Sequence, residues 1–246
     1  MLKLLCITAH PDDEVGSFAG TLLEYHRRGV ETYVVCLTAG TAARHRGGAT
    51  SDEELATMRR REFAEACKLL HVTHGEVLDF PDSKLDRVTT YDAAEALAKR
   101  IREIRPQVIA TIGTEGSVTA HTDHSMAGLF ATAAFHWAGR TNRFVDQIEA
   151  GLKPHRAQKL YYTTNAFSLP DRQPISPAPT TAIIETGDVT ELKIKAFAAH
   201  TSQNPLLPLF ENYARNRGTK ERFHLAAAIT PIDCKMEHDL FEGVVE

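Results

Sequence analysis

The chain has 246 residues, with 28 Lys and Arg against 32 Asp and Glu, 12 His and 4 Cys. Its length suits one large domain, because single cores stop growing near about 250–300 residues, and a 43% hydrophobic, 24% charged composition excludes a disordered or fibrous chain. A net charge of −4 without a long basic run excludes nucleic acid or a membrane surface as the default partner.

Leu2 to Thr8 is a short apolar run that reads as a buried strand. Val15, Phe18, Leu22 and Tyr25 recur at helical spacing, and Gly29 stops that helix. Val30 to Thr38 reads as a second strand. Ala39 to Thr50, with Gly40, Gly47, Gly48, Arg44 and Arg46, has no periodicity and is expected to be a mobile loop. In Ser51-Asp52-Glu53-Glu54 an acid stands three after a serine, the capping-box spacing, and a helix with Leu55, Met58, Ala66 and Leu69 on one face follows. Glu76 to Phe80 reads as a third strand, Tyr91 to Ile104 as a third helix, and Gln107 to Ile112 as a fourth strand. Ser125 to Ala138 is a very apolar helix that protein must cover on most sides. Beyond it the pattern weakens. Pro170, Pro174, Pro177 and Pro179 mark a long loop, then come a strand at Thr181 to Glu185 and helices near Thr190 to His200 and Leu206 to Arg217.

Strands alternating with crossover helices imply parallel pairing. The expected fold is therefore α/β, a Rossmann-like doubly wound, mostly parallel sheet with helices on both faces. No Gly/Ser linker divides it, so residues 1–246 read as a single domain. The start, running at once into Asp12-Asp13-Glu14, is too short and acidic for a signal peptide. The longest mostly apolar stretch, Met126 to Ala138, falls well short of the roughly 20 residues that span a bilayer. Cys6, Cys36, Cys67 and Cys234 lie far apart among apolar neighbours, which suits free thiols in a reducing compartment. The cytoplasm is the expected location.

The first strand ends in Ala9-His10-Pro11-Asp12-Asp13-Glu14, just before a helix. Ligands of open α/β sheets bind outside the carboxyl ends of strands, and this is such an end. Three adjacent carboxylates repel one another unless something positive sits among them. Acids at a helix N-terminus also serve the helix dipole alone, and for Glu14 that reading stays open. His10 gains nothing from it. Pro11 stiffens the turn that would aim His10 and Asp13. A second cluster, His121-Thr122-Asp123-His124, follows the fourth strand and opens the apolar helix, so the two clusters can converge above the sheet. Catalytic zinc takes three ligands from His, Asp or Glu and leaves one position open. The surplus of such groups here leaves some to act as base and acid. No Gly-x-Gly-x-x-Gly or Gly-x-x-x-x-Gly-Lys stretch supports nucleotide binding.

At these residues the chain resembles the LmbE-like, or PIG-L-type, zinc-dependent N-acetylglucosamine de-N-acetylases. Residues 9–14 match the family's first motif letter for letter, and 121–124 match its His-x-Asp-His. Arg59-Arg60-Arg61-Glu62, Phe80-Pro81-Asp82 and His200-Thr201-Ser202-Gln203 fit three further fragments in order. The resemblance implies a zinc site of His10, Asp13 and His124, in which other divalent metals also fit. It implies Asp12 as general base and a protonated His121 that polarises the amide carbonyl and holds the oxyanion. Asp123 would hydrogen-bond His121 and keep it cationic, while Arg59 and Asp82 would hold sugar hydroxyls. Some relatives carry a tyrosine where this chain has Thr119. The implied substrate is a small N-acetylated amino sugar, hydrolysed to acetate and free amine, and family members often form trimers or hexamers. The alternative on the same scaffold is an amidase for a thiol conjugate or a longer acyl group, with loops 39–50 and 168–181 setting the choice. A non-catalytic sugar-binding module would have no need of both Asp12 and His121. Taken without the resemblance, Arg59 reads as a solvated helix residue, Asp82 as a turn cap and His200 as a structural histidine near a helix end.

Overall fold

The computed structural model describes residues 1–116, 120–165, 177–231 and 235–245. In chain order these form β1 (Lys3–Thr8), α1 (Asp13–Arg27), β2 (Glu31–Thr38), α2 (Asp52–Leu69), β3 (His74–Phe80), α3 (Thr90–Ile104) and β4 (Val108–Ile112). Then come α4 (Thr122–Trp137), α5 (Val145–Glu149), β5 (Lys159–Thr163), β6 (Ala182–Glu185), α6 (Thr190–Ala198), α7 (Leu207–Asn216) and β7 (Lys220–Ala228). The strands join one sheet in the order β3-β2-β1-β4-β5-β7-β6. Pairing is parallel from β3 through β5 and antiparallel at β5–β7 and β7–β6.

The period of two in β1 feeds both layers. Leu4 and Cys6 pack into a core with α1, α2, α6 and α7, whereas Leu5 and Ile7 pack into a second core with α3 and α4. Helices thus cover both faces of the parallel half, the doubly wound arrangement expected from the alternating pattern. The chain winds outward from β1 to β3 and then returns to place β4 on the other side of β1. That reversal opens a crevice beyond the carboxyl ends of β1 and β4. Both His/Asp clusters lie there, on the turn after β1 and at the start of α4.

Several features differ from the sequence-based expectation. β5 and β7 carry no clear apolar run, because buried ion pairs hide inside them. Lys159 of β5 meets Glu237 at 2.6 Å, and Glu221 of β7 meets Lys193 at 2.8 Å, all at most 4% exposed. Loop 39–50 is anchored rather than free. The Gly40 carbonyl accepts from Arg59, the Ala42 N–H donates to Asp82, the His45 carbonyl accepts from Gln203 and Arg46 pairs with Asp52. Side chains from distant elements make these ties, and periodicity cannot register them. Ser51 caps α2 by accepting the Glu54 N–H at 3.1 Å, but the Glu54 carboxylate reaches Thr50, one residue earlier than a capping box requires. Cys6, Cys36 and Cys67 are buried and free, while Cys234, Thr119, Pro170 and Pro174 lie outside the described residues. Among the described residues no helix is long and apolar enough to cross a membrane.

Gly128 sets how closely α4 approaches the end of β4. A Cβ there would lie 2.4 Å from the Ile112 carbonyl oxygen and 3.0 Å from the Gly113 carbonyl carbon, both backbone atoms that cannot step aside. Gly128→Ala is expected to lower stability by about 1–3 kcal/mol, the range for overpacked sites. Denaturant unfolding measures this, and an unchanged midpoint would contradict the close approach.

Candidate functional site

The turn after β1 is built from its own carboxylates. Asp13 Oδ2 accepts the backbone N–H groups of His10 at 2.8 Å and Ala9 at 3.2 Å, and Glu14 accepts the Asp12 N–H at 2.9 Å. Pro11 has no N–H to place. The turn closes with Asp12 at φ 106, a left-handed conformation that a side chain adopts only when its surroundings enforce it.

Asp13 Oδ1 then faces His124 Nε2 at 3.1 Å, and its Oδ2 faces His10 Nδ1 at 3.6 Å. Ligand atoms from His10, Asp13 and His124 lie within 4.8 Å of one another. On its far side, His10 Nε2 meets Asp82 Oδ1 at 3.0 Å and Asp123 Oδ2 at 3.3 Å. An ionised carboxylate only accepts, so these two keep a proton on Nε2, and Nδ1 is the nitrogen turned toward Asp13. Metal-ligating imidazoles are commonly oriented by such a carboxylate. Burial opposes charge on His10, but Asp123, Asp13 and Asp82 outweigh it and raise its pKa well above the usual value. Burial likewise pushes Asp13 up, and His124 and His10 more than reverse it, holding the carboxyl well below the usual range. The cluster therefore demands positive charge, and its two-imidazole, one-carboxylate donor set fits a divalent metal.

A second set, His10, Asp82 and Asp123, also brings ligand atoms together. Its acids are already engaged. Asp123 is fully buried and accepts the N–H groups of Ser83 at 2.7 Å and Leu85 at 3.3 Å, while Asp82 accepts the Ala42 N–H at 2.6 Å. The set supports His10 rather than forming an independent centre.

Asp12 stands beside the cluster with its side chain 21% exposed, held at Oδ2 by Arg59 Nη2 at 2.9 Å. Arg59 also donates to the carbonyls of Pro11 and Gly40. Gly40, at φ 67, admits the guanidinium, since a Cβ there would lie 2.0 Å from Nη1. Burial raises the Asp12 pKa to about 6, against the lowering effect of Arg59 and with the help of Asp13.

Four side chains expected at the site take up the following positions. Arg59 is only 3% exposed and grips the Asp12 turn. The Asp82 side chain is 5% exposed and engaged by His10 and the Ala42 N–H, so it too faces inward. The Asp123 carboxylate turns to His10 and the loop at residues 83–85, not to His121. His121 instead caps α4, its Nδ1 accepting the Asp123 backbone N–H at 3.2 Å. Burial, aided by His124 and His10, lowers the His121 pKa to about 4, a shift that favours the neutral ring. His121 still lies in the cluster, with ring centroids 5.1 Å from His10 and 4.9 Å from His124.

Two further acids brace the site, with partners that the sequence does not indicate. Glu62, one helical turn from Arg59, accepts from the Thr201 hydroxyl and from the Ser202 N–H and hydroxyl, each at 2.6 Å. Glu14 is fully buried against His200. The Arg-x-x-Glu and His-Thr-Ser-Gln fragments were the available signals for both, although neither fragment names the other as its partner.

An α/β crevice holding a His/His/Asp cluster with a carboxylate beside it defines a candidate metal-dependent catalytic site. A family model described as GlcNAc-PI de-N-acetylase (PIG-L) matches residues 5–135, the stretch that contains both motifs, and the chain belongs to that family. Diacetylchitobiose deacetylase of Thermococcus kodakarensis is 30% identical over 219 residues, covering 87% of this chain and 75% of that protein. Mycothiol S-conjugate amidase of Streptomyces coelicolor is 33% identical over 180 residues, 65% of this chain and 60% of that one. The solved N,N'-diacetylchitobiose deacetylase from Pyrococcus horikoshii, complexed with its inhibitor MPG, aligns with TM-score 0.73 at 25% identity, covering 94% of this chain and 87% of that chain.

Two predictions follow from the supporting residues. Asp123→Asn is expected to weaken divalent-metal binding roughly 10–100-fold, the usual cost of losing a carboxylate behind a ligating histidine. Titration with metal by calorimetry measures it, and unchanged affinity would contradict the support assigned to Asp123. Arg59 lowers the Asp12 pKa, so Arg59→Met should move the acidic limb of kcat/KM to higher pH. An unmoved limb would separate Arg59 from Asp12.

Proposed function

We propose that the protein is a zinc-dependent hydrolase that removes the acetyl group from an N-acetylglucosaminyl compound, releasing acetate and a free amino sugar. One observation carries the reading: His10, Asp13 and His124 converge in the crevice with the Arg59-held carboxylate of Asp12 beside them. The names of the deacetylase relatives support the substrate class. His10, Asp13 and His124 would hold the ion, which supplies Lewis acidity to the substrate carbonyl and acidity to a water. Asp12 accepts the proton of the attacking water. Because His121 Nδ1 is occupied as an acceptor, its proton sits on Nε2, and the ring acts as a neutral donor to the developing oxyanion. A neutral imidazole of that kind has no spare proton to give away. Asp12 therefore returns its proton to the leaving amine, which departs poorly unless protonated. The buried free thiols Cys6, Cys36 and Cys67 support a cytoplasmic location.

The second reading, an amidase for a thiol conjugate or longer acyl group, is favoured by the similarity to the mycothiol S-conjugate amidase. Assay of a panel of glucosamine conjugates that carry either an N-acetyl or a longer N-acyl group, with acid and amine both quantified, separates the two. Acetate in step with free amine is the expected result, and a longer acid alone would favour the amidase. His121→Ala should lose on the order of 10²-fold or more in kcat, as for removal of an oxyanion donor, while retaining metal. Loss of metal by elemental analysis would make His121 a ligand and overturn its assignment.

A further inference from the structure

We propose that Glu14 and His200 form a buried clamp that sets the backbone of Asp12, which makes His200 a positioning residue for the reaction. The inference rests on the reading of Asp12 as the base. His200 Nε2 donates to Glu14 Oε1 at 2.6 Å across 186 residues of sequence, and the other oxygen of Glu14 accepts the Asp12 N–H at 2.9 Å. Both side chains are 0% exposed. An acid that only served the α1 dipole would gain nothing from full burial against an imidazole. Asp12 sits at φ 106, and a residue in that region stays there only when its neighbours over-determine it.

The clamp has a rigid mounting. The His200 N–H donates to Phe197 at 2.9 Å and its carbonyl accepts from Gln203 at 2.8 Å, at the junction of α6 and the 3₁₀ turn Thr201–Leu206. Glu62 ties that turn to α2, and Arg59 on the same helix grips the Asp12 carboxylate. The segment at residues 200–203 therefore reaches Asp12 by two routes, its backbone through Glu14 and its carboxylate through α2.

The test compares His200→Leu, which removes the donor, with His200→Gln, whose amide nitrogen reaches about as far as Nε2. His200→Leu should keep its metal and its KM but lose on the order of 10²-fold in kcat, the cost of misplacing a catalytic group by about an ångström. His200→Gln should restore most of that loss. In the metal-free proteins, amide hydrogen exchange at Asp12, read by NMR, should be faster in His200→Leu than in wild type and slow again in His200→Gln. Should His200→Leu fail to fold, His200→Asn, too short to reach Glu14, replaces it in the same comparison. In an Asp12→Asn background His200→Leu should cost nothing further in rate. A kcat within about twofold of wild type in His200→Leu, or a loss explained wholly by lost metal, would overturn the clamp. Full activity in Asp12→Asn would instead overturn the base assignment, so the two failures are distinguishable.

Discussion

Three neighbouring carboxylates on one turn, Asp12, Asp13 and Glu14, must be kept together with little water to screen them. Buried like charges are costly, and each persists only when hydrogen bonds and opposite charge compensate it. The structure gives each acid a different partner. Asp13 takes two backbone N–H groups of its own turn and faces His124, Asp12 takes Arg59, and Glu14 takes His200 and the Asp12 N–H. The left-handed backbone at Asp12 lets the side chains of successive residues diverge to reach these partners.

From that constraint the rest of the architecture acquires its purpose. α2 supplies Arg59 and Glu62, α4 supplies His124 through a close approach at Gly128, and the segment after α6 supplies His200. The loop after β3 brings Asp82 against His10, and Asp123 at the start of α4 completes that support while pinning Ser83 and Leu85. Arg59 and Asp82, both nearly buried, brace the groups that face the crevice. Preorganisation of this kind fixes catalytic groups before substrate arrives, which is where most electrostatic catalysis originates.

Much of this was legible in the sequence, for physical reasons that also mark the limit. The pattern of buried runs and amphipathic helices located β1 through α4, because those elements bury apolar faces against a sheet. It missed β5 and β7, where Lys159, Glu221 and their partners put charge inside the core. The order of strands and the two motifs together pointed to one crevice. What the sequence could not carry was direction. Whether Asp123 bonds His121 or His10 depends on a side-chain rotation, and the sequence spacing is the same in either case. His200 stands in the His-Thr-Ser-Gln fragment, but nothing local signals its contact with Glu14, which lies in the first helix 186 residues away.

The most direct test is a crystal structure of the metal-loaded protein with anomalous scattering at the metal edge. The account predicts one ion at about 2.0–2.2 Å from His10 Nδ1, an Asp13 oxygen and His124 Nε2, with Asp82 and Asp123 still bonded to His10 Nε2. An ion bound instead to His10 Nε2 between Asp82 and Asp123 would contradict it.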